Sequence, residues 1–441
     1  MPTLFPPPVA TISGVSRDIR AGRVSCREVL ARCLERIDAR ELRIHAWARV
    51  DRQGAEQQAR TLDDERAAGQ LRGPLHGVPL GIKDIFDVAG LPTEAGFAPW
   101  RGRMALEDAP VVARLRKAGV VIVGKTVTTP FAWIDPPPTR NPWNLDRTPG
   151  GSSSGSAAAL AGGMVLGALG SQTGGSLTRP AAYCGVCALK PTHGALDGAG
   201  IVPLSPSLDH PGVMARTVSD LALLWNCVNS DPETLVPRGA LRLARLRGFF
   251  DTYATPETRA AMERVVDLLR RTGLSIDDAE PPFDVPEILR HHRRLLAAEA
   301  ASWHLPLYKA HRHVYPPRIA ALVDEGATVL DEDLFESIQH QSNARSDSSG
   351  SEFFGRADAF LLPSAPGPAP DCSTTGDPAF NAPWSYLGLP TVGIPLGLDP
   401  DGMPLGLQLV GKPFAESSLL AIARRCEEII QHNTADSSRE D

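Results

Sequence analysis

The feature that most constrains this chain is the segment 148–178, which contains no charged side chain. Its most apolar part, residues 157–170, is interrupted by glycines and is shorter than the ~20 residues that a membrane-spanning helix requires. Charged groups are avoided where a segment is buried on all sides, because an unpaired charge loses its hydration there. We therefore predict a buried helix and a buried strand between two Gly/Ser loops, residues 150–156 and 171–176.

The composition is that of a globular protein, with 42% hydrophobic and 22% charged residues among 441. The 45 basic and 51 acidic residues give a formal net charge of −6, which argues against binding to nucleic acid or to an anionic membrane surface. The 40 glycines and 40 prolines predict many short connections and argue against an all-helical bundle.

The cysteines and the N-terminus favour a cytoplasmic protein. The seven cysteines are odd in number, and residues 1–8 lack the basic and apolar parts of a secretory signal. Reduced thiols are the default in the cytoplasm. Cys184 and Cys187 form a CxxC pair, but no second ligand pair at zinc-site spacing accompanies them. We therefore expect buried thiols, no metal and no cofactor.

Helical and strand patterns alternate along the chain, which predicts an α/β protein. Residues 1–70 predict an N-terminal helical segment packed on the core, with a capping box formed by Ser25 and Glu28. Residues 71–430 predict one domain. Within it, residues 237–360 differ from the rest in sequence pattern and are expected to form a variable helical region that lines the substrate site. Residues 431–441 predict a polar, frayed tail.

Shorter patterns predict individual elements. The predicted strands are residues 78–82, 120–123 and 360–363, and the predicted helices are residues 111–118, 256–271 and 291–303, with a polar connection at 345–351.

Residues 119–126 match the letters of a phosphate-binding P-loop, GxxxxGK[ST]. In that motif the four variable positions form a loop of exposed backbone amides after a strand. Here they are Val-Val-Ile-Val, which is itself the pattern of a buried strand. A nucleotide-binding P-loop protein is therefore only a distant alternative.

The second Gly/Ser loop has the residues of a nucleophile beside an anion-binding nest. Amides next to Gly174 and Gly175 can converge on one point, and Ser176 can then attack a carbonyl whose oxygen they hold. A turn with a capping serine has the same pattern. Lys83 ends an apolar strand, so it is either a lysine that reaches the surface or, if buried, a neutral amine able to act as a base.

A Ser-His-Asp arrangement is a weaker alternative for the same loops. His76, His193 and His210 are the histidines nearest to the loops in the sequence. A histidine in contact with a loop serine would be the base of such a triad.

Lys83, Ser152 and Ser176 lie in motifs that occur together and in this order along the chain. Lys83 follows residues 77–82, Ser152 follows Pro-Gly-Gly at 149–151, and Ser176 follows Thr-Gly-Gly at 173–175. This combination resembles the amidase signature family, densely over residues 71–225, again over 381–420, and weakly over 237–360. The further matching segments are residues 124–126, 139–143, 179–185, 189–192, 209–212, 388–390 and 402–411.

The resemblance implies the family's fold and its catalytic groups. The implied fold is a single α/β/α domain whose large, mixed and twisted sheet is covered by helices on both faces. The implied catalytic groups are a Ser–cis-Ser–Lys triad: Ser176 is the nucleophile, Ser152 is the cis-serine, and Lys83 is the base. The implied oxyanion hole consists of the backbone amides of Thr173, Gly174, Gly175 and Ser176, and the loop is supported by Ser153. The implied reaction is hydrolysis of a C–N bond other than a peptide bond, through an acyl-enzyme.

The chain departs from the family pattern at three places. Gln172 stands where members usually carry Asp. Members often have Arg two residues after the nucleophile, but here that position is Thr178 and the arginine is Arg179. Residues 130–132 are Pro-Phe-Ala where many members have Glu-Phe-Ala. These departures leave open the subfamily and the hydrogen bonds around the triad.

The substrate pocket is expected to draw on aromatic and apolar residues outside the loops, namely Phe131, Trp133, Ile134, Trp303 and Trp384, although aromatic residues suit the core equally well. An apolar lining favours small aryl or alkyl amides or carbamates over charged substrates, so a urethanase is one candidate. We expect a monomer or a homodimer.

Two other functions stay open. One is the glutaminase subunit of a tRNA-dependent amidotransferase, which is a member of the same family and would need partner subunits. The residues around 126–132 and the excess of acidic over basic residues argue mildly against it. A catalytically silent binding protein on the same scaffold is the other, because function follows from the site rather than the fold.

Overall fold

The computed structural model describes residues 10–229, 241–350 and 352–437, so the N-terminal residues 1–8 considered above lie outside the described residues. The strands within these ranges are β1 (Trp47–Val50), β2 (Pro79–Lys83), β3 (Val121–Thr126), β4 (Gly167–Gln172), β5 (Cys187–Lys190), β6 (His210–Ala215), β7 (Arg242–Leu246), β8 (Ser275–Ala279), β9 (Ala359–Pro363), β10 (Thr391–Leu398) and β11 (Pro404–Val410). The helices are α1 (Ile12–Arg20), α2 (Cys26–Ile44), α3 (Arg52–Ala67), α4 (Pro110–Lys117), α5 (Ser154–Ala161), α6 (Thr178–Cys184), α7 (Val218–Val228), α8 (Phe249–Tyr253), α9 (Pro256–Arg271), α10 (Val285–Ala310), α11 (Pro317–Gly326), α12 (Asp331–Ser349), α13 (Ala382–Tyr386) and α14 (Glu416–Ser437).

All the described strands join one sheet, in the order β1-β3-β2-β4-β6-β5-β10-β11-β9-β7-β8. The triplets β3-β2-β4 and β9-β7-β8 are parallel, and the other neighbours are antiparallel. Helices cover the sheet, with α5 packed on α6 and α7 packed on α1, α4 and α14. This confirms the large mixed sheet with helices on both faces.

The uncharged segment 148–178 lies at the centre of the molecule. It forms α5 and β4, as predicted, and all of its residues are buried except Gly174, which is partly exposed. A side chain at Gly155 would place its Cβ 2.2 Å from the Ala46 carbonyl oxygen and 2.4 Å from the Val127 nitrogen. Glycine there lets α5 pack directly on the neighbouring backbone.

Several predicted elements are confirmed, including the Ser25 capping box and the helix from 256 to 271. The N-terminal segment predicted to be helical also contains a strand, because β1 pairs antiparallel with β3 at the edge of the sheet. Four residues are too few for a strand period to stand out beside long helices.

The predicted polar connection at 345–351 is also wrong, since α12 continues to Ser349. Two of its polar side chains are directed at backbone carbonyl oxygens. Gln341 and Arg345 both donate hydrogen bonds to the Tyr386 carbonyl oxygen, and Arg345 donates another to the Ser207 carbonyl oxygen. At the C-terminus, α14 extends through Ser437 into the segment predicted to fray, and residues 438–441 lie outside the described part.

The segment that matches the P-loop pattern forms strand β3. All six residues of β3 are buried, and the Lys125 ammonium lies 2.8 Å from Asp84 Oδ1 and donates hydrogen bonds to Thr93 Oγ1 and the Pro92 carbonyl oxygen. No cradle of exposed amides exists there, so the phosphate-binding interpretation is wrong. None of the helices in the described ranges is long and apolar enough to cross a membrane.

We predict that Asp84→Ala lowers the free energy of unfolding by about 3–5 kcal/mol, because it leaves the buried Lys125 ammonium without its partner. Urea denaturation measures the change. The control Asp18→Ala removes an exposed ion pair with Arg23 and should cost under ~1 kcal/mol. An equally small loss for Asp84→Ala would contradict the prediction.

Candidate active site

The Lys83 side chain lies inside the protein, so the surface alternative is wrong. Lys83 is the last residue of β2, which runs parallel between β3 and β4, and its exposed fraction is 0%. Its Nζ donates hydrogen bonds to Ser152 Oγ and Ser171 Oγ, each at 2.7 Å. Ser171 lies near the carboxyl end of β4, which is parallel to β2, and Ser152 lies in the loop before α5, so two distant segments reach one amine.

Burial lowers the pKa of Lys83 to about 7, against an opposing effect from the charge of Asp209. Asp84, the acidic neighbour in sequence, pairs with Lys125 instead. Burial disfavours the charged form of an amine, so a large fraction of Lys83 is neutral at pH 7. The amine is therefore able to accept a proton.

The first Gly/Ser loop presents Ser152 to this amine. The peptide bond between Gly151 and Ser152 is cis, and α5 begins two residues later at Ser154. Ser154 Oγ donates a hydrogen bond to the Gly150 carbonyl oxygen at 2.7 Å, and Arg179 Nη2 donates one to the Gly151 carbonyl oxygen at 2.8 Å. These two bonds hold the loop backbone on both sides of Gly151.

The two serine loops touch through Ser153. Its backbone N–H donates a hydrogen bond to the Ser176 carbonyl oxygen at 3.2 Å. Its hydroxyl donates to the Ser171 carbonyl oxygen and accepts from the Ser171 N–H, both at 3.2 Å. Ser153 thus connects the first loop both to β4 and to the loop that carries Ser176.

The second loop turns its carbonyl oxygens into the protein. The Thr173 oxygen accepts a hydrogen bond from His292 Nε2, the Gly174 oxygen accepts one from Ser385 Oγ, and the Gly175 oxygen accepts one from the Arg179 N–H. Within the described part of the chain, the N–H groups of Gly174, Gly175 and Ser176 donate to no acceptor. Unpaired N–H groups beside a serine are the donors that an oxyanion requires.

Gln172 holds the end of this loop without adding a charge. Its Oε1 accepts hydrogen bonds from the N–H groups of Leu177 and Thr178, at 3.1 and 3.0 Å, and its Nε2 donates to Ser385 Oγ at 3.2 Å. The first departure from the family pattern therefore supplies the acceptor that caps α6. A neutral amide makes these bonds without the desolvation cost of a buried carboxylate.

Asp209 is a partly buried acid that the sequence showed only as part of a matching segment. One carboxylate oxygen accepts from Thr173 Oγ1, and the other accepts from the N–H groups of Leu204 and Ser205. Burial raises the pKa of Asp209 to about 6. This carboxylate joins the loop that carries Ser176 to the segment after β5 and contributes negative charge near Lys83.

A cavity of about 260 Å³ opens at Ser176, whose exposed fraction is 8%. Of the predicted residues, it brings together the loop 173–176 with Trp133 and Ile134. The wall also contains residues that the sequence analysis did not assign to the pocket, chiefly Ala132, Arg179, Leu204, Leu289, His292, Arg293, Leu296, Arg318 and Thr375. Arg179 had a visible signal, because it is the first charged residue after the uncharged segment.

Three of the predicted pocket residues lie elsewhere. Phe131 is fully buried against Phe97, with ring centroids 4.8 Å apart. Trp384 is fully buried and packs edge-to-face on Phe283. Trp303 is 37% exposed and packs edge-to-face on Trp100, away from the cavity wall. For Phe131 and Trp384, the core alternative is the correct one.

The histidines near the loops contact carbonyl oxygens rather than the serines. His76 Nε2 bonds with the Leu62 oxygen, His193 Nε2 with the Pro206 oxygen, and His210 Nδ1 with the Leu208 oxygen. The Ser-His-Asp interpretation is therefore wrong. Cys184 and Cys187 are buried thiols, as predicted, and burial raises the pKa of both above the ordinary value.

The fold and the sequence both match known proteins over nearly their full length. The Amidase family model matches residues 28–420. A glutamyl-tRNA(Gln) amidotransferase subunit from Carboxydothermus hydrogenoformans is 32% identical, over 96% of this chain and 97% of the relative. An amidase from Pseudomonas putida is 33% identical, over 93% and 94%. The peptide amidase from Stenotrophomonas maltophilia superposes with a TM-score of 0.83 at 27% identity, over 97% of this chain and 98% of that enzyme.

The structural match agrees with the mixed sheet described above. The family model alone covers far more than half of the chain. The chain belongs to the amidase family.

Proposed function

We propose that this protein hydrolyses the C–N bond of a small linear amide or carbamate through Lys83, Ser152 and Ser176. The observation that carries the proposal is the fully buried Lys83 amine, 2.7 Å from Ser152 Oγ, in a loop that is bonded to the Ser176 carbonyl oxygen through the Ser153 N–H. A serine hydroxyl becomes an effective nucleophile only when a base accepts its proton. The buried amine supports Lys83 as that base, and the proposal needs no histidine.

The proposed proton path uses both partners of the amine. The ammonium form of Lys83 donates hydrogen bonds to both Ser152 Oγ and Ser171 Oγ. The neutral amine has two hydrogens and one lone pair, so it can keep the bond to Ser171 and accept the proton of the Ser152 hydroxyl. Ser152 in turn takes the proton of Ser176. The Ser176 oxygen then forms a bond to the carbonyl carbon of the substrate, and its proton has passed by way of Ser152 to Lys83.

The unpaired N–H groups of residues 174–176 support the next step. As the tetrahedral intermediate forms, the carbonyl oxygen takes up negative charge, which these N–H groups stabilise. Loss of one such donor typically costs about 3–4 kcal/mol of transition-state stabilisation. The hydrogen bonds that hold the loop carbonyls in the protein interior keep the N–H groups directed at the cavity.

The leaving nitrogen must be protonated as the C–N bond breaks. Ser152 donates a proton to that nitrogen and recovers one from the Lys83 ammonium, which leaves an ester between the acyl group and Ser176. A water molecule then attacks the ester and loses its proton along the same path. The products are an amine and a carboxylic acid, or, from a carbamate, an amine and a carbonic acid half-ester that breaks down to CO2 and an alcohol. The enzyme returns to its starting protonation state.

We predict that Ser176→Ala abolishes both turnover of p-nitroanilide or aryl carbamate substrates and the adduct with a serine-reactive phosphonate. Mass spectrometry of the intact protein measures the adduct. Ser373→Ala, an exposed serine, is the control and should keep both. Full adduct formation by Ser176→Ala would place the nucleophile at another residue.

We predict that kcat/KM falls about tenfold per pH unit below pH 7 and is level above it. Burial lowers the pKa of Lys83 to about 7, and only the neutral amine is a base, so lowering the pH removes the active form. A pH–rate profile recorded with an uncharged amide measures this fall of kcat/KM on the acid side. Activity that stays level down to pH 5 would exclude Lys83 as the base.

A second candidate function is that of an amidotransferase glutaminase subunit. It is favoured by the near full-length match to glutamyl-tRNA(Gln) amidotransferase subunits from Carboxydothermus hydrogenoformans and Myxococcus xanthus, each at 32% identity. Such a subunit works with partner subunits, whereas our proposal needs a monomer or a homodimer only.

Hydrolysis by the purified chain alone separates the two candidates. The chain is assayed against glutamine, primary amides, peptide amides, p-nitroanilides and aryl carbamates, with and without the other subunits of a bacterial amidotransferase. Turnover of an amide or carbamate by the isolated chain supports the hydrolase. Glutamine hydrolysis that appears only with the added subunits supports the second candidate.

A further inference from the structure

Arg179 is a buried guanidinium with an incomplete set of hydrogen bonds. Its exposed fraction is 1%. Nη2 donates to the Gly151 carbonyl oxygen at 2.8 Å and to Thr375 Oγ1 at 3.4 Å. Nε and Nη1 are buried and have no hydrogen-bond partner among the described residues. Buried polar groups are nearly always paired, so these two nitrogens need an explanation.

No carboxylate within 4 Å neutralises this charge in the part of the chain that the structure describes. Asp377 acts on Arg179 only through its charge at longer range, and burial lowers the pKa of the guanidinium without neutralising it. A buried cation without a counter-ion is unfavourable, and an anion in the adjoining space would compensate it.

Arg179 belongs to the wall of the Ser176 cavity, which is positively charged. Arg293 and Arg318 line the same cavity, and no aspartate or glutamate of the described ranges does. Arg293 pairs with Glu325 outside the wall and lies over the Trp133 ring. The Arg318 guanidinium donates to the carbonyl oxygens of Ile134 and Ser373. The unneutralised cations therefore outnumber the anions around the nucleophile.

We propose that the preferred substrates are amides or carbamates whose acyl part carries a carboxylate, and that Arg179 determines this specificity. The inference rests on the proposed function and narrows its substrate class. A planar guanidinium with two free N–H groups matches a carboxylate in geometry and charge. This preference for a carboxylate replaces the expectation, drawn from the sequence, that uncharged substrates suit this pocket.

The position of Arg179 limits the spacer between the two substrate groups. Arg179 follows Ser176 by three residues and contacts the carbonyl of Gly151, the residue before Ser152. The carboxylate must therefore lie close to the scissile carbonyl, separated by a few methylene groups. The side chains of Leu204, Leu289 and Leu296 supply an apolar wall for such a spacer.

A purely structural role predicts a different result. If Arg179 served only to hold the Gly151 carbonyl, its loss would slow every substrate by the same factor. A role in specificity instead changes the ratio of kcat/KM for a carboxylate substrate to kcat/KM for its neutral isostere. The ratio is internal to each variant, so a general loss of activity cancels.

The test compares succinic acid mono-p-nitroanilide with its methyl ester, cleaved at the anilide. With the wild-type protein we expect kcat/KM to be about ten- to a hundredfold higher for the acid, as one charged hydrogen-bonded contact commonly contributes. In Arg179→Met the ratio should fall to near one. Arg345→Met, which removes an arginine that also donates to carbonyl oxygens but lies outside the cavity, should keep the wild-type ratio.

Each of the other outcomes overturns one stated part of the proposal. A wild-type ratio near one, with phosphonate labelling of Ser176 intact, overturns the carboxylate preference and leaves the proposed hydrolase standing. An unchanged ratio in Arg179→Met overturns the role of Arg179. Absence of both hydrolysis and labelling overturns the proposed function and this inference together. If Arg179→Met does not fold, inhibition of the wild-type protein by succinamate against butyramide gives the same comparison, and equal inhibition overturns the inference.

Discussion

The contact of the buried Lys83 amine with two serine hydroxyls is the interaction on which the site depends. An ammonium at this position would need water or a carboxylate, and its nearest neighbours are Ser152 and Ser171 instead. The surrounding segment 148–178 has no charge that could pair with it. The same lack of charge that makes this segment a core element therefore lowers the pKa of the amine into the range in which it can act as a base.

The second constraint is the polarity of the backbone around Ser176. His292 and Ser385, from distant elements, take up carbonyl oxygens of this loop, and Gln172, at the end of β4, takes up the N–H groups that begin α6. The remaining N–H groups are then left for the cavity. A loop held in this way needs no rearrangement when charge develops on a substrate oxygen, which is the condition under which such donors are most effective.

Charge in the interior is distributed by strand geometry. Lys83 and Asp84 are adjacent in the sequence, but they lie where β2 ends, and their side chains meet different partners. Asp84 compensates Lys125, whereas the charge that acts on Lys83 comes from Asp209 in a loop more than a hundred residues later. Arg179 is left without a counter-ion beside the cavity, and this imbalance distinguishes the pocket from the apolar one expected from the sequence.

The sequence by itself predicted the buried helix and strand of residues 148–178, because absence of charge is a local signal. Its resemblance to the amidase signature family predicted the fold and supplied the three residues proposed as the triad, because the motifs of that family are short and contiguous. It did not determine the β1 strand, the continuation of α12, or which aromatic residues line the cavity, since those depend on partners far away along the chain. Phe131 and Trp133 are two residues apart, yet one is core and the other lines the cavity. Only the tertiary structure decides such assignments, because burial and charge compensation are properties of side chains brought together across the sheet.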